Sequence, residues 1–354
     1  MTSAPTEIPA LPGGWHGTDL AADPDRWRLP LPDDVRDDLL RAAAEVTPEG
    51  GPRGRRPAVS ERTRALVGDI YHRLAGEPGL VVLGGFPVGE EPDLVERAYV
   101  LLGMLLGQPV AQTLDGRLLV RVEAYDPGVK VPGAQNTGIP NAQPFHIDRA
   151  ADVVGLLCIR RARAGGLSLV VSSRTVHNTL AERHPDLLPV LYRPIPVQTP
   201  PLRGPAGEVA AQWCEVPVFS QVDGHFAAYC DRHVIDMAQR FPDAPRLTER
   251  QEAALAAVDE VVALPGLALE MSLEPGDLQL INNLSVLHAR TAYEGDPAGQ
   301  GRLLLRLHIA FGGSPALPAE YTAVYGATAP GSFRGGLLRT PEVQRRLGTP
   351  LPAS

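Results

Sequence analysis

One lysine, Lys130, stands among 33 basic residues, and all the others are arginine. So complete a bias reflects a GC-rich bacterial genome more than a function. Positive charge is in deficit as well: 41 acidic against 33 basic residues leave a net charge of −8. Phosphate backbones are bound by clustered positive charge, so no nucleic-acid surface is expected. Cysteine is scarce. Cys158, Cys214 and Cys230 have no metal-site spacing and leave one thiol over from any pairing, which excludes a disulfide framework. No apolar run approaches the roughly 18 residues that a membrane-spanning helix needs. The segment Met1-Thr2-Ser3-Ala4-Pro5 lacks a basic region leading into an apolar core, so the expectation is a cytoplasmic protein. Repeats of about 20 to 50 residues are absent too, and the oligomeric state is left open.

What is present fits one soluble globular unit. At 354 residues and 37.8 kDa the chain is within reach of a single large barrel with helical insertions. Its 44% hydrophobic and 21% charged content is ordinary for a globular protein. The reading is one domain over 1–354, with an N-terminal arm over about 1–60, a core with insertions over about 80–313 and a tail over 314–354. Apolar spacing places helices at Pro32–Glu45, Thr63–Ala75 and about Pro92–Leu106, and a core strand at Gly79–Phe86. Val153–Ile159 reads as a buried strand with Cys158 as a small core residue. Ser172–Leu191 reads as a strand end and then a helix. Thr248 and Gln251 form a Thr-x-x-Gln capping box before a helix over Ala253–Val262. Leu267–Leu273 alternates as a half-buried strand, and the tail has a short helical pattern at Pro341–Leu347.

Against this background the run Gln143-Pro144-Phe145-His146-Ile147-Asp148-Arg149 carries the chemistry. Side chains two apart on a strand point the same way, so His146 and Asp148 present an imidazole and a carboxylate together. Such triplets are common at strand ends and turns, and context gives this one its weight. A second histidine from far along the chain would complete a facial triad that leaves three iron positions open. His288 is the candidate, reached from the turn Pro275-Gly276-Asp277 through the apolar run 278–287. Beyond it, Arg302, Leu304, Arg306 and His308 share one face of a strand whose other face holds Leu303, Leu305, Leu307 and Ile309. Two arginines in one compartment favour anionic small molecules, because the guanidinium fork fits a carboxylate. The alternative is that both pair with protein carboxylates on the wall.

From about Leu80 to Gly313 the chain resembles the iron(II)- and 2-oxoglutarate-dependent oxygenases of the taurine dioxygenase and clavaminate synthase-like group. The resemblance is carried, in the family's order, by His146-x-Asp148, Gly165-Gly166-Leu167-Ser168, Pro275-Gly276-Asp277, His288 and the Arg302/Arg306 pair. It implies an α+β chain built on a double-stranded β-helix (jelly roll) core flanked by helices. Fe(II), 2-oxoglutarate and O2 are the cofactor and cosubstrates it implies, with His146, Asp148 and His288 as catalytic iron ligands. Arg302, 14 residues beyond His288, falls where the family grips the far carboxylate of 2-oxoglutarate, and Ser168 where a hydroxyl bonds the same group. Arg306 falls where relatives meet an anionic group on the substrate. At about 3.3 Å per residue its Cα stands about 13 Å from that of Arg302, too far for one carboxylate to engage both directly. Halogenating relatives have a small residue at the carboxylate position, so Asp148 implies hydroxylation, desaturation or cyclisation instead.

The Pro/Gly/Asn-rich stretch Tyr125–Gln143 is either a lid, with Asn136, Asn141 or Gln143 offering amides to the substrate, or a plain connection. Strand parity puts His308 in the substrate pocket, whereas His177, His184, His225 and His233 read as surface or capping residues. The expected substrate is a small amino acid or other carboxylate-bearing metabolite. Two alternatives stay open. One is an oxygenase acting on a carrier-tethered amino acid, for which Arg53, Arg55 and Arg56 offer docking charge. The other is a non-catalytic metal-binding jelly roll serving as sensor or scaffold, against which Ser168 and Arg302 argue.

Overall fold

Alternation along the strands decides the architecture, because each strand of the larger sheet must cover two different partners. The computed structural model describes residues 8–46, 57–123, 140–199, 212–294 and 301–337. The larger sheet runs in the order β1 (Arg28–Pro30), β2 (Leu80–Gly84), β13 (Leu278–Asn282), β6 (Val153–Arg160), β15 (Leu303–Phe311), β3 (Gly107–Val110), with β4 (Leu119–Glu123) also on β15. The smaller runs β12 (Leu269–Met271), β7 (Ser168–Ser172), β14 (Val286–Arg290), β5 (Gln143–His146). Two ribbons, β8 (Pro194–Gln198) with β9 (Trp213–Pro217) and β10 (Phe219–Val222) with β11 (His225–Ala228), complete a mixed α/β fold.

On the outer face of the larger sheet, Leu305, Leu307, Ile309 and Phe311 pack with the helices Asp33–Ala43, Glu61–Ala75 and Pro92–Leu106. Its inner face sends Leu80, Val82, Val154, Cys158, Ile281 and Leu304 into a cluster shared with Val170, Leu269, Met271 and Val286 of the smaller sheet. The smaller sheet's outer residues, Val171 and Leu287, join a third cluster with the helices Ser173–Arg183 and Glu249–Val262. Three apolar layers thus enclose one gap between the two sheets, and there the polar residues of β14 and β15 meet.

Most elements fall where periodicity placed them. The helix Pro92–Leu106 keeps its expected bounds, and both arms of the Thr248/Gln251 capping box form. The alternating run at Leu267–Leu273 shortens to β12, since the Leu267 amide closes the preceding turn on Leu264 O (3.3 Å) and only Leu269–Met271 find a partner in β7. The arm does more than pack: Arg28–Pro30 adds a strand parallel to β2. The Pro275-Gly276-Asp277 turn is fastened by Arg28, whose Nη2 donates to both Asp277 oxygens at 2.8 and 2.9 Å. A Cβ on Gly276, at φ 90°, would lie 2.9 Å from Phe86 O, so this turn requires glycine. His177 is a correction: it is fully buried among Tyr192, Phe219 and Phe226, with Nε2 2.8 Å from the Tyr192 hydroxyl. His225 and His233 are exposed. Among the described residues no helix is long and apolar enough to cross a membrane.

Candidate active site

β5 and β14 run antiparallel with His146 opposite His288, and cross-strand partners have their Cβ atoms about 5 Å apart. The two rings lie 4.2 Å apart, centre to centre. Asp148 reaches the same point by a different route from the one strand parity implies, because β5 ends at His146 and Asp148 lies beyond it. The turn is gripped from the other sheet. Asn283, fully buried, accepts from Asp148 N (2.9 Å) and donates to Asp148 O (2.6 Å) and Ala151 O (2.8 Å). Ile147 N donates to Cys230 O at 3.0 Å. One ligand atom from each of His146, Asp148 and His288 then falls within 4.8 Å of the others.

The electrostatics suit a divalent cation. His146 Nδ1 is 2.9 Å from Pro144 O, which fixes the proton on Nδ1 and leaves the Nε2 lone pair facing the Gln143 amide at 2.9 Å. Burial and the neighbouring His146 push the His288 pKa down to about 3, so its imidazole is neutral. His288 Nδ1 is buried with no hydrogen-bond partner among the described residues. Burial raises the Asp148 pKa, but Arg306 and His308 outweigh it and hold the carboxyl well below its usual range. A neutral imidazole at His288, a second imidazole at His146 and an ionised carboxylate, with a buried nitrogen left over, form a donor set that fits iron(II).

A small pocket of about 40 Å³ adjoins the cluster and is lined by Gln143, Asp148, Ser168, His288, Arg302 and Arg306, among others. Arg302 is 7% exposed and has no carboxylate partner among the described residues. Another cation, Arg290, acts on it. Burial and Arg290 together lower its pKa to about 10, and its guanidinium lies 5.7 Å from the centre of the Tyr293 ring. A buried arginine in such company has room for an anion.

Several expected roles change. Arg306 meets a protein carboxylate: Nη1 is 3.0 Å from Asp148 Oδ1, and Nε donates to Gln112 Oε1 at 2.7 Å. Parity identified its face but not what stood opposite. His308 does not line the pocket; its Nε2 lies 3.1 Å from the other Asp148 oxygen. Ser168 Oγ donates to Gln279 Oε1 at 2.6 Å. Asn141 is exposed and offers its backbone carbonyl to Arg290 Nη2, 2.5 Å away. The lid stretch up to residue 139, with Asn136, and the Arg53/Arg55/Arg56 cluster lie outside the described residues.

Sequence reasoning missed Asn283, Gln279 and Arg290. The signals were a pair of asparagines ending an otherwise apolar strand, a glutamine inside that strand, and an arginine two residues beyond His288 on the same face. Asn283→Ala should leave the Asp148 and Ala151 carbonyls unpaired, at about 1 to 3 kcal/mol each. It is also expected to lower iron(II) affinity by about 10- to 100-fold, as loss of a group supporting a ligand does. Equilibrium metal titration checks this, and unchanged affinity would remove Asn283 from the site.

The family model described as taurine catabolism dioxygenase TauD, TfdA family, matches residues 50–308. FR-33289 synthase of Streptomyces rubellomurinus is 28% identical over 310 residues, covering 81% of this chain and 86% of its own. The taurine hydroxylase-like protein SAT17 of Stachybotrys chartarum is 29% identical over 262 residues, 67% of this chain and 62% of its own. Among solved structures, asparagine oxygenase in complex with Fe(II), 2S,3S-3-hydroxyasparagine and succinate superposes with a TM-score of 0.59 at 20% identity. The non-heme iron oxygenase OrfP, in complex with Fe and alpha-ketoglutaric acid, gives 0.60 at 15% identity. Each of these two superpositions covers 80% of this chain and 93% of the other. At these identities the solved structures share the fold.

Proposed function

Since this chain belongs to the TauD/TfdA family of iron(II)- and 2-oxoglutarate-dependent oxygenases, we propose that it oxidises an unactivated C–H bond of a small amino acid or other carboxylate-bearing metabolite, most simply by hydroxylation. The two facing sheets then form a double-stranded β-helix within a single catalytic domain. His146, Asp148 and His288 hold the iron. Iron(II), when bound together with 2-oxoglutarate, supplies dioxygen activation, with succinate and carbon dioxide as coproducts.

The observation that carries the cosubstrate assignment is Arg302, buried and without a carboxylate partner among the described residues. Its fork fixes the distal carboxylate of 2-oxoglutarate in position and tilt. Ser168 assists once the Gln279 amide rotates. Gln279 Nε2, buried without a partner among the described residues, would then donate to Ser168 Oγ and free the hydroxyl to donate a hydrogen bond to the carboxylate. Gln143 leaves His146 Nε2 when metal binds and turns toward the pocket. Arg306 keeps Asp148 ionised and lines the same pocket, where it offers positive charge to a substrate anion. Among the described residues the lining places Arg290, Arg302 and Arg306 beside Asp148, and cationic side chains suit an acidic substrate. Support for an amino acid comes from the asparagine oxygenase, solved in complex with Fe(II), 2S,3S-3-hydroxyasparagine and succinate.

Arg306→Ala tests the substrate side. With its ion partner gone, Asp148 is expected to bind iron about tenfold less tightly. At saturating iron, 2-oxoglutarate binding should persist, substrate KM should rise, and succinate should form without matching product. A screen of amino and other carboxylic acids for succinate release identifies the substrate for this assay. Full coupling at unchanged KM would make Arg306 purely structural.

A further inference from the structure

We propose that the gap between the sheets has a second mouth, a cleft beyond Arg302 through which 2-oxoglutarate enters and succinate leaves without passing the organic substrate. This rests on the reading of Arg302 as the anchor of the cosubstrate's distal carboxylate. The register of β6 and β15 carries the argument. Arg306 pairs with Leu156 and Leu304 with Cys158, so these residues follow one another along the inner face of one sheet. The inner pocket lies against Leu156, Leu304, Arg302 and Arg306. A larger cavity of about 180 Å³ takes over at Cys158, sharing Leu304 and Arg302 as its wall, and opens among Arg161, Arg163, Ala164 and Ser272, all four exposed. The two spaces therefore follow one another along one sheet face, with Arg302 between them.

The chemistry of the cleft fits a small dicarboxylate. Arginines stand at both ends, two at the mouth and Arg302 at the bottom. Of the two at the mouth, Arg161 is paired with Glu274 at 2.8 Å. Between the ends the wall includes Cys158, Leu273, Leu304 and Gly166; Gly166, at φ 71°, lies so close to Arg302 that a Cβ there would stand 3.4 Å from Arg302 Cδ and 3.3 Å from Tyr293 Cβ. At this φ a residue with a side chain would be strained, and its Cβ would rest against the stem of the arginine. Arg163 at the rim and Arg302 at the base raise the local concentration of anions and guide them inward. On this route the keto-acid end leads past Arg302 into the inner pocket, and the distal carboxylate stays with Arg302. Cosubstrate exchange is then independent of whether substrate fills the space near Gln143.

The test follows binding kinetics in the full-length, iron(II)-loaded protein without oxygen, using stopped-flow absorbance on mixing with 2-oxoglutarate. Ser272→Trp and Ala164→Trp place bulk at the mouth on exposed positions, with Ser272→Ala as the control. Obstruction of a route slows entry and exit alike, so both Trp variants are expected to lower the association and dissociation rates by a common factor of about ten while Kd stays unchanged. Arg163→Glu is expected to slow association about tenfold at low ionic strength, with the difference vanishing in high salt. Unchanged rates in both Trp variants would overturn the second mouth. Faster dissociation with a raised Kd would also overturn it, making the cleft part of the binding cavity itself. Absence of any 2-oxoglutarate binding by the unaltered protein would instead overturn the cosubstrate reading on which the inference rests.

Discussion

Replacing His288 by alanine is expected to abolish iron(II) binding and turnover while leaving the protein folded. His288 supplies one of three converging donors, so its loss should lower iron affinity by more than about a hundredfold, the largest effect usual when only an outer partner of a ligand is removed. The metal-free fold should tolerate the change. The imidazole carries a buried nitrogen without a partner among the described residues, and removing that desolvation cost offsets the cavity left behind. Its backbone bonds to β5 and β7 remain. Thermal melting with and without iron separates the two effects. Iron at about a hundred times its Kd should stabilise the unaltered protein by about 2.7 kcal/mol and raise its Tm. The variant should melt near the metal-free protein in both conditions. His146→Ala should behave alike. Asp148→Gly should abolish hydroxylation whether or not it opens a position for chloride, and retained coupled oxidation in any of the three would break the triad assignment.

Arg302→Ala should leave iron binding intact and remove 2-oxoglutarate. The variant would hold a carboxylate in a partly desolvated compartment without the fork that grips it, a loss of about 3 kcal/mol by analogy with broken buried charge pairs. That corresponds to about a hundredfold in Kd. Ser168→Ala should cost about 1 to 2 kcal/mol, one hydrogen bond to a charged group. Arg302→Lys should recover only part of the loss, since an ammonium lacks the planar fork. Calorimetric titration of 2-oxoglutarate into each iron-loaded variant measures the series, and normal affinity in Arg302→Ala would remove that residue from the cosubstrate site.

What the sequence revealed and what it hid divide along a physical line. Local rules placed the helix Pro92–Leu106, the Thr248 cap and the two faces of β15, because each depends on neighbours within a few residues. The metal cluster was legible although His146 and His288 are far apart, since histidine and aspartate in that pattern are rare in a packed core unless they serve something. The contacts that aim those residues were not. Asn283 grips Asp148 across 135 positions of chain, and parity could not show that the turn after β5 brings Asp148 against Arg306 and His308. Period-two reasoning finds the face of a strand; the partner across the gap follows only from how the two sheets meet.

The most direct measurement is anaerobic addition of 2-oxoglutarate to the iron(II)-loaded protein, followed by visible charge-transfer absorbance. If the cluster and Arg302 form one site, a band should appear and saturate with a single equivalent of 2-oxoglutarate. It should be missing in His288→Ala and require about a hundredfold more cosubstrate in Arg302→Ala. Iron bound at full occupancy, with no band at any 2-oxoglutarate concentration, would contradict the account.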